Sequence, residues 1–159
     1  MKQTLTPIDL QNFMEDHFIP GEIIYMDTPT PTVESAAEAV GTQPAHIVKS
    51  VLFNIKDSYI LAIATGTHHI DRRIIANHFG VGRKQVKLTP PEIVLSVTGY
   101  PVGTVPPFGH LSPLPTLIDQ ELVEMETIYA GGGAHNALVR LSPKDILRAS
   151  AGQVLNLHG

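Results

Sequence analysis

The fold is decided by the stretch Ile47-Val48-Lys49-Ser50-Val51-Leu52-Phe53. Its apolar, β-branched composition is typical of a buried β-strand. A turn signal follows at Lys56-Asp57-Ser58, and a second apolar run covers residues 59–64. The two runs together predict a β-hairpin at the centre of a sheet.

Lys49 is the one charged residue of this strand. Strand side chains alternate between two faces, so it shares a face with Ile47, Val51, Phe53 and Ile55. A lysine is rarely buried without a partner or a purpose. Two interpretations stay open on this run alone: the ammonium reaches solvent at the strand end, or it points into a cleft and holds an anion or an oxyanion.

On both sides of this hairpin, helix-capping and helix-breaking residues mark several short helices. They are predicted over residues 7–17, 33–40, 72–78, 90–98 and from 143 onward, with Thr6, Thr32, Asp71, Thr89 and Ser142 as their N-terminal caps. Further strands are expected at residues 22–26, 86–88, 115–118, 127–130, 137–141 and 154–157. Strands and helices mix without strict alternation, which predicts an α+β fold. We expect a single domain over residues 1–159, with a mixed, barrel-like sheet flanked by short helices.

Composition excludes several classes of protein. The chain has no cysteine, so disulfides and thiolate chemistry are excluded. A formal net charge of −4 argues against a general nucleic-acid-binding protein, DNA included, but it leaves room for a local basic patch. Neither a signal peptide nor an apolar run long enough to cross a membrane is present in the sequence. We therefore expect a cytoplasmic protein that has no membrane partner.

The eight histidines do not follow a metal-binding pattern. His68 and His69 are adjacent, and no His-Glu-x-x-His sequence occurs. A Gly-x-Ser-x-Gly nucleophile motif is missing as well. The sequence therefore predicts no metal, no cofactor and no serine nucleophile.

Two glycine-containing segments are candidates for a site. A long irregular loop covers residues 99–110, in which proline stiffens the backbone and glycine permits close approach. Such a loop can present amide N–H groups to a carbonyl or oxyanion, or it can be a rigid structural turn. Gly131-Gly132-Gly133 lacks the spacing of a dinucleotide motif and is interpreted as a turn, either flexible or closely approached by another backbone, that lines a pocket.

Basic residues form a group within a short part of the chain: Arg72, Arg73, Arg83, Lys84 and Lys87. A looser group comprises Arg140, Lys144 and Arg148. Both can be solvated surface charge or contacts to a polyanion.

Three segments in order resemble the YbaK-like, prolyl-tRNA-synthetase-associated editing domains. The first combines residues 32–41 with the Lys49 strand. The second is Gly103-Thr104-Val105-Pro106-Pro107-Phe108-Gly109-His110, which is similar to the family's Gly-x-x-x-Pro loop. The third combines residues 130–133 with residues 141–147. The resemblance covers about residues 20–156, nearly the whole chain.

The resemblance implies an aminoacyl-tRNA deacylase that hydrolyses the ester of a mischarged tRNA. Lys49 matches the family's critical lysine, and residues 103–107 match its loop, although Thr104 and Pro106 stand where related chains often carry Gly and Ser. With no synthetase domain attached, the chain resembles a free-standing, trans-acting editor. The implied partners are the acceptor end of a mischarged tRNA and an aminoacyl-tRNA synthetase.

We therefore expect Lys49 to be catalytic, and a substrate-binding set follows from the loop, the glycine turn and two bordering positions. That set is Gly103, Thr104, Val105, Pro106, Pro107, Phe108, Gly109, His110, Gly131, Gly132, Gly133, Thr30 and His135. The basic group of residues 72–87 is expected to meet the acceptor stem. A binding module without turnover and a hydrolase of free esters stay open as alternatives.

Overall fold

The predicted hairpin forms the centre of the molecule. The computed structural model describes residues 4–159. Residues 1–3, which belong to the predicted domain, lie outside this range. Strands β2 (Val48–Ile55) and β3 (Ser58–Thr65) pair antiparallel along their whole length, with Lys49 opposite Ala64. Lys56 adopts a positive φ of 56° in the turn between them.

The remaining strands build two sheets. A five-stranded mixed sheet has the order β4 (Val86–Leu88), β2, β3, β5 (Thr116–Asp119) and β8 (Gln153–Leu155). Its β3–β5 and β5–β8 pairs are parallel. A three-stranded antiparallel sheet has the order β1 (Glu22–Tyr25), β7 (Ala137–Leu141) and β6 (Ile128–Gly131).

This arrangement confirms the α+β class with a mixed sheet, although the barrel-like sheet does not close. The two sheets are joined by an isolated parallel bridge between Ile47 and Tyr129. No closed barrel forms within residues 4–159, because β4 and β8 are the two edges of the larger sheet and β1 and β6 the edges of the smaller one. Two separate sheets leave a seam between β2 and β6.

Six helices surround the sheets, and most begin at the predicted caps. They are α1 (Pro7–Asp16), α2 (Val33–Val40), α3 (Arg72–Phe79), α4 (Pro91–Thr98), α5 (Gln120–Val123) and α6 (Pro143–Ser150). Asp9 Oδ2 accepts from the Thr6 N–H at 2.7 Å, and Ser142 Oγ accepts from the Lys144 N–H at 3.2 Å. Short 3-10 turns at Pro44–His46 and Arg83–Gln85, and the helix α5, were not predicted.

The cap predicted at Thr89 is wrong. Pro90 is the N-terminal cap of α4, and the buried Thr89 hydroxyl has no hydrogen-bond partner among the described residues. Pro91 explains the difference, because a residue that precedes a proline is pushed out of helical geometry, and Pro90 is extended with a ψ of 152°.

The core divides along the two faces of β2. Val48 and Leu52 pack with Leu61 and Ile63 towards α1, β6 and β7. Phe53 and Ile55 pack on the other face. Within residues 4–159, no helix is long and apolar enough to span a membrane.

Candidate functional site

The candidate site is a cavity of about 200 Å³ at the seam between the two sheets. Strand β4 pairs only with residues 53–55 of β2, so the first half of β2 has no strand partner on that side. Val48, Lys49 and Ser50 form one wall of the cavity, and Gly131 at the end of β6 belongs to the opposite wall. Consecutive residues of β2 reach the same cavity because the cavity lies along the edge of this strand rather than over one of its faces.

Lys49 lies in this cavity half-buried. Its ammonium forms no ion pair with any residue from 4 to 159. Burial away from water lowers the pKa of Lys49 below its ordinary value of 10.5, with no carboxylate to oppose the change. An unpaired cation in a concave site is a ready partner for an anionic group of a ligand.

The first half of the predicted loop meets Lys49 across the cavity. Gly103 and Val105 line it, and Gly103 adopts a positive φ of 85°. Among the described residues, no backbone carbonyl accepts a hydrogen bond from the N–H of Gly103 or of Val105. Two such amides near a cation can stabilise a carbonyl oxygen that gains negative charge.

The glycine turn holds this half of the loop in place. A Cβ on Gly131 would lie 2.5 Å from the Val105 carbonyl oxygen and 2.7 Å from that of Thr104. The Gly133 N–H donates to the Thr104 carbonyl at 3.0 Å. Gly132 is buried against the Ala137 backbone. The predicted close approach is therefore confirmed: Gly131 touches the loop at the cavity wall, while Gly132 and Gly133 support it from behind.

Two predicted bordering residues lie at the cavity mouth. Thr30 lines the cavity, and its N–H donates to the His135 carbonyl at 3.2 Å. The exposed His135 ring stands beside Gly103, with its Cε1 3.8 Å from where a Cβ on Gly103 would be. The segments containing Thr30 and His135 are thus tied together next to the loop.

Sequence reasoning missed Ser50. Its hydroxyl oxygen is shielded from solvent and has no hydrogen-bond partner among the described residues, although the residue lines the cavity. A buried hydroxyl without a partner is costly unless a ligand or water satisfies it. The signal was available, since Ser50 is a second polar residue in an otherwise apolar strand.

The structure does not bring the second half of the loop to this cavity. Pro107, Phe108, Gly109 and His110 line a different groove, beside Phe13. Phe108 is buried and its ring stacks on Phe13 with centroids 5.7 Å apart. His110 Nε2 donates to the Pro106 carbonyl at 2.7 Å, and burial lowers the pKa of His110.

Thr104 and Pro106 flank Val105 in the middle of the loop, and both are buried. The Thr104 hydroxyl donates to the Pro101 carbonyl at 2.7 Å, so it already has a partner within the loop. The predicted substrate-binding set is thus divided by the fold, with Gly103, Val105, Gly131 and Thr30 at the cavity.

The basic group of residues 72–87 is also divided. Arg72, Arg73 and Arg83 line one open groove with His69 and His158. The Arg72 guanidinium carbon lies 5.8 Å from the centre of the Phe53 ring, on the face of β2 that carries Lys49. Phe53 lies four residue steps along the strand from Lys49, or about 13 Å.

Lys84 and Lys87 instead border a separate hollow with Lys56. Lys87 pairs with Asn54, which points to the opposite face of β2. In the looser basic group, Arg140 pairs with Glu22 at 2.7 Å. The Arg148 guanidinium donates to the carbonyls of His17 and Phe18.

Comparison with known proteins agrees with this geometry. The sequence model of the aminoacyl-tRNA editing domain matches residues 27–149. An uncharacterised protein, YwhH of Bacillus subtilis (strain 168), is 31% identical over 134 residues, which cover 84% of this chain and 83% of that protein. A proline–tRNA ligase of Thermoanaerobacter sp. (strain X514) is 26% identical over 117 residues, 73% of this chain but 20% of the ligase.

Solved structures share the whole fold. A crystal structure described as a "putative trans-editing enzyme for prolyl tRNA synthetase" superposes with a TM-score of 0.88 at 30% identity, covering 96% of both chains. The hypothetical protein APE2540 superposes with a TM-score of 0.84 at 26% identity, covering 92% of this chain and 96% of that one. The chain belongs to the aminoacyl-tRNA editing domain family. It is homologous to a segment that makes up about a fifth of the proline–tRNA ligases it matches.

Proposed function

We propose that this protein hydrolyses the ester bond of a mischarged aminoacyl-tRNA. The observation that carries the proposal is that Lys49 and the Gly103–Val105 segment line one cavity. Family membership supports a role in aminoacyl-tRNA editing, and the geometry supports hydrolysis as the reaction. Ester hydrolysis needs a positioned water and a stabilised carbonyl oxygen rather than a strong protein nucleophile.

The size of the cavity favours one part of the substrate. At about 200 Å³ it is smaller than the roughly 300–1,000 Å³ of pockets that enclose whole small ligands. It therefore receives the aminoacyl group, and the terminal adenosine lies at the mouth near Thr30 and His135. Val33, Ala36 and Leu138 supply an apolar lining for a small amino-acid side chain.

Each cavity group has a defined task in the proposed reaction. The N–H groups of Gly103 and Val105 donate to the ester carbonyl oxygen as negative charge develops on it. The Lys49 ammonium holds the phosphate of the terminal nucleotide and fixes the ester above the loop. Water attacks the carbonyl carbon, the ester carbon–oxygen bond breaks, and the ribose oxygen leaves as a hydroxyl.

The proton of the attacking water is taken up within the substrate. The resemblance described above implies that the adjacent 2′-hydroxyl of the terminal ribose assists the water. The cavity agrees with that role, since its lining includes no carboxylate or histidine side chain among residues 4–159. Ser50 is placed to hydrogen-bond the substrate, because its shielded hydroxyl has no protein partner.

The proposal is tested by deacylation assays on a panel of mischarged tRNAs. We expect turnover of at least one ester, and a loss of about 100-fold or more in the Lys49→Ala variant, because the ester is then no longer held in its reactive position above the loop. Lys144→Ala is the matched control, because Lys144 is exposed on α6 and does not line the cavity. Thermal melts of both variants check that the fold persists.

Three results would contradict the proposal. Lys49→Ala protein that clears mischarged tRNA at the wild-type rate would remove Lys49 from the reaction. Tight binding of aminoacyl-tRNA with no turnover of any ester would make the domain a binding module. Equally fast hydrolysis of simple amino-acid esters would show that the tRNA is not part of the recognition.

The acceptor stem is proposed to follow the groove that contains Arg72 and Arg83. This groove lies on the Lys49 face of β2, whereas Lys87 points to the other face. Replacing Arg72 with Ala should raise KM several-fold and reduce the slope of log KM against log salt by about one, because one phosphate contact is lost. Lys87→Ala should change neither quantity, and an equal effect of the two variants would place the stem elsewhere.

A further inference from the structure

A second group of polar side chains lies outside the cavity, near the C-terminal end of β5. It comprises His68, Glu121 and His158, which come from the loop after β3, from α5 and from the last residues of the chain. Glu121 Oε2 is 2.7 Å from His68 Nε2 and 3.9 Å from His158 Nε2. The three potential ligand atoms all lie within 4.8 Å of one another.

Hydrogen bonding does not account for this convergence. Glu121 Oε2 is shielded from solvent, yet within residues 4–159 it has no hydrogen bond of acceptable geometry, even to His68 at 2.7 Å. The two imidazole rings are stacked with centroids 4.3 Å apart and planes 9° apart. Two protonated imidazoles in that arrangement would repel each other, and a single His–Glu pair does not use the second ring.

Asp119 supplies an independent observation. Its side chain is completely buried, and Oδ2 lies 2.7 Å from His158 Nδ1. The other carboxylate oxygen accepts from the Leu157 N–H at 3.4 Å. A carboxylate on one ring nitrogen fixes the tautomer so that the other nitrogen presents its lone pair, an arrangement typical of histidines that bind metal. For His158 that other nitrogen is Nε2, the atom nearest Glu121.

We propose that His68, Glu121 and His158 bind one divalent transition-metal ion, with Zn²⁺ as the best match and Asp119 as the residue that positions His158. Two imidazoles and one carboxylate are a donor set that zinc accepts. Two ligands at about 2.0–2.1 Å in tetrahedral geometry are roughly 3.3 Å apart. That separation lies between the two observed distances of Glu121 Oε2 to the ring nitrogens, 2.7 and 3.9 Å.

The partial exposure of the three ligands leaves room for a water at the fourth position. Their side chains are 37%, 38% and 25% exposed for His68, Glu121 and His158. The metal joins the C-terminal residues to α5 and to the loop after β3. It therefore acts as a cross-link that stabilises the fold, at a place separate from the Lys49 cavity.

Calorimetric titration of Zn²⁺ into tag-free, chelator-treated full-length protein tests the proposal. We expect one ion per chain and a Tm that rises with zinc concentration, because an ion that binds only the folded chain stabilises it. His68→Ala should weaken binding about 100-fold or more. Asp119→Asn should weaken it about 10–100-fold, as for other residues that orient a ligand.

His69→Ala is the matched control, because His69 is adjacent in sequence and outside the cluster. It should bind zinc as the wild type does. Binding with less than one ion per chain, or equal affinity of wild type and His68→Ala, would overturn the proposal. If Asp119→Asn fails to fold, the comparison of His68→Ala with His69→Ala still decides the matter, since the His68 side chain is partly exposed.

Discussion

The two halves of the loop 99–110 share a similar composition but have different environments. Gly103 and Val105 border the cavity, and no described residue accepts a hydrogen bond from their backbone N–H groups. Phe108 instead stacks on Phe13 of α1, and the His110 ring donates to the Pro106 carbonyl within the loop. One half therefore borders the cavity, and the other half packs against the protein and stiffens the loop.

The largest expected effect comes from forcing the first half away from the cavity wall. Gly131→Ala places a Cβ 2.5 Å from the Val105 carbonyl, a contact that the loop backbone must relieve by moving. We expect deacylation to fall about 100-fold, since small displacements of reacting groups are costly. The free energy of unfolding should fall by about 1–3 kcal/mol through overpacking.

Gly82→Ala is the control for that variant. A Cβ at Gly82 meets only the Gln85 side-chain oxygen, at 3.8 Å. Its activity and its urea midpoint should match those of the wild type. Full activity in Gly131→Ala would show that the loop position does not matter for the reaction.

Two shielded hydroxyl groups outside the loop show the same contrast between a group left for a ligand and a group bonded within the protein. Thr98 Oγ1 accepts from the Tyr100 N–H at 3.0 Å and donates to the Val94 carbonyl at 2.8 Å, whereas Ser50 Oγ has no protein partner. Thr98→Val should lower the free energy of unfolding by about 1–3 kcal/mol and keep kcat, because it leaves the Tyr100 N–H unpaired.

Ser50→Ala should show the opposite pattern. Its stability should be unchanged or slightly higher, while kcat/KM falls about 10-fold through the loss of a substrate hydrogen bond. Denaturant melts and single-turnover deacylation measure the two quantities on the same samples. A destabilised but fully active Ser50→Ala protein would make Ser50 a structural residue.

Lys49 should cost the folded protein stability, because burial lowers its pKa. The penalty is present while Lys49 is charged in the folded and unfolded states, and it disappears as pH rises from the lowered folded pKa to the ordinary 10.5. Lys49→Met should therefore be inactive, yet its free energy of unfolding at pH 7 should be higher than that of the wild type by about 1 kcal/mol. Melts between pH 7 and 10.5 should show this advantage shrinking, and a constant difference would contradict it.

The smallest effect concerns His110 in the supporting half. Burial lowers the pKa of His110 from its ordinary 6.5, so the folded state favours the neutral ring that donates to Pro106. Stability should fall as pH drops from 6.5 through the lowered folded pKa and level off below it. In the His110→Gln variant this loss of stability at acid pH should be smaller than in the wild type, by a fraction of a kcal/mol. Deacylation at pH 7.5 should be unchanged, and an inactive variant would move His110 into the reaction.

Much of the local structure could be predicted from the sequence. Capping residues such as Thr32 and Ser142 act on backbone groups only two or three positions away, so the sequence suffices to place their helices. The cap predicted at Thr89 was wrong because Pro91 keeps Pro90 in extended geometry, so that Pro90 is the cap. The position of Lys49 in an apolar strand left solvent and a cleft open as surroundings of its ammonium, and the structure places Lys49 at a cavity.

Most strands and helix caps, the unusual lysine and the stiff loop could be predicted from the sequence, because each depends on neighbours along the chain. The packing of the sheets and helices, in contrast, brings Gly103 rather than His110 to the Lys49 cavity and puts Arg72 and Lys87 on opposite sides of β2. It also brought His68, Glu121 and His158 together from distant parts of the chain. Such convergence depends on how the sheets and helices pack, and no local spacing encodes it.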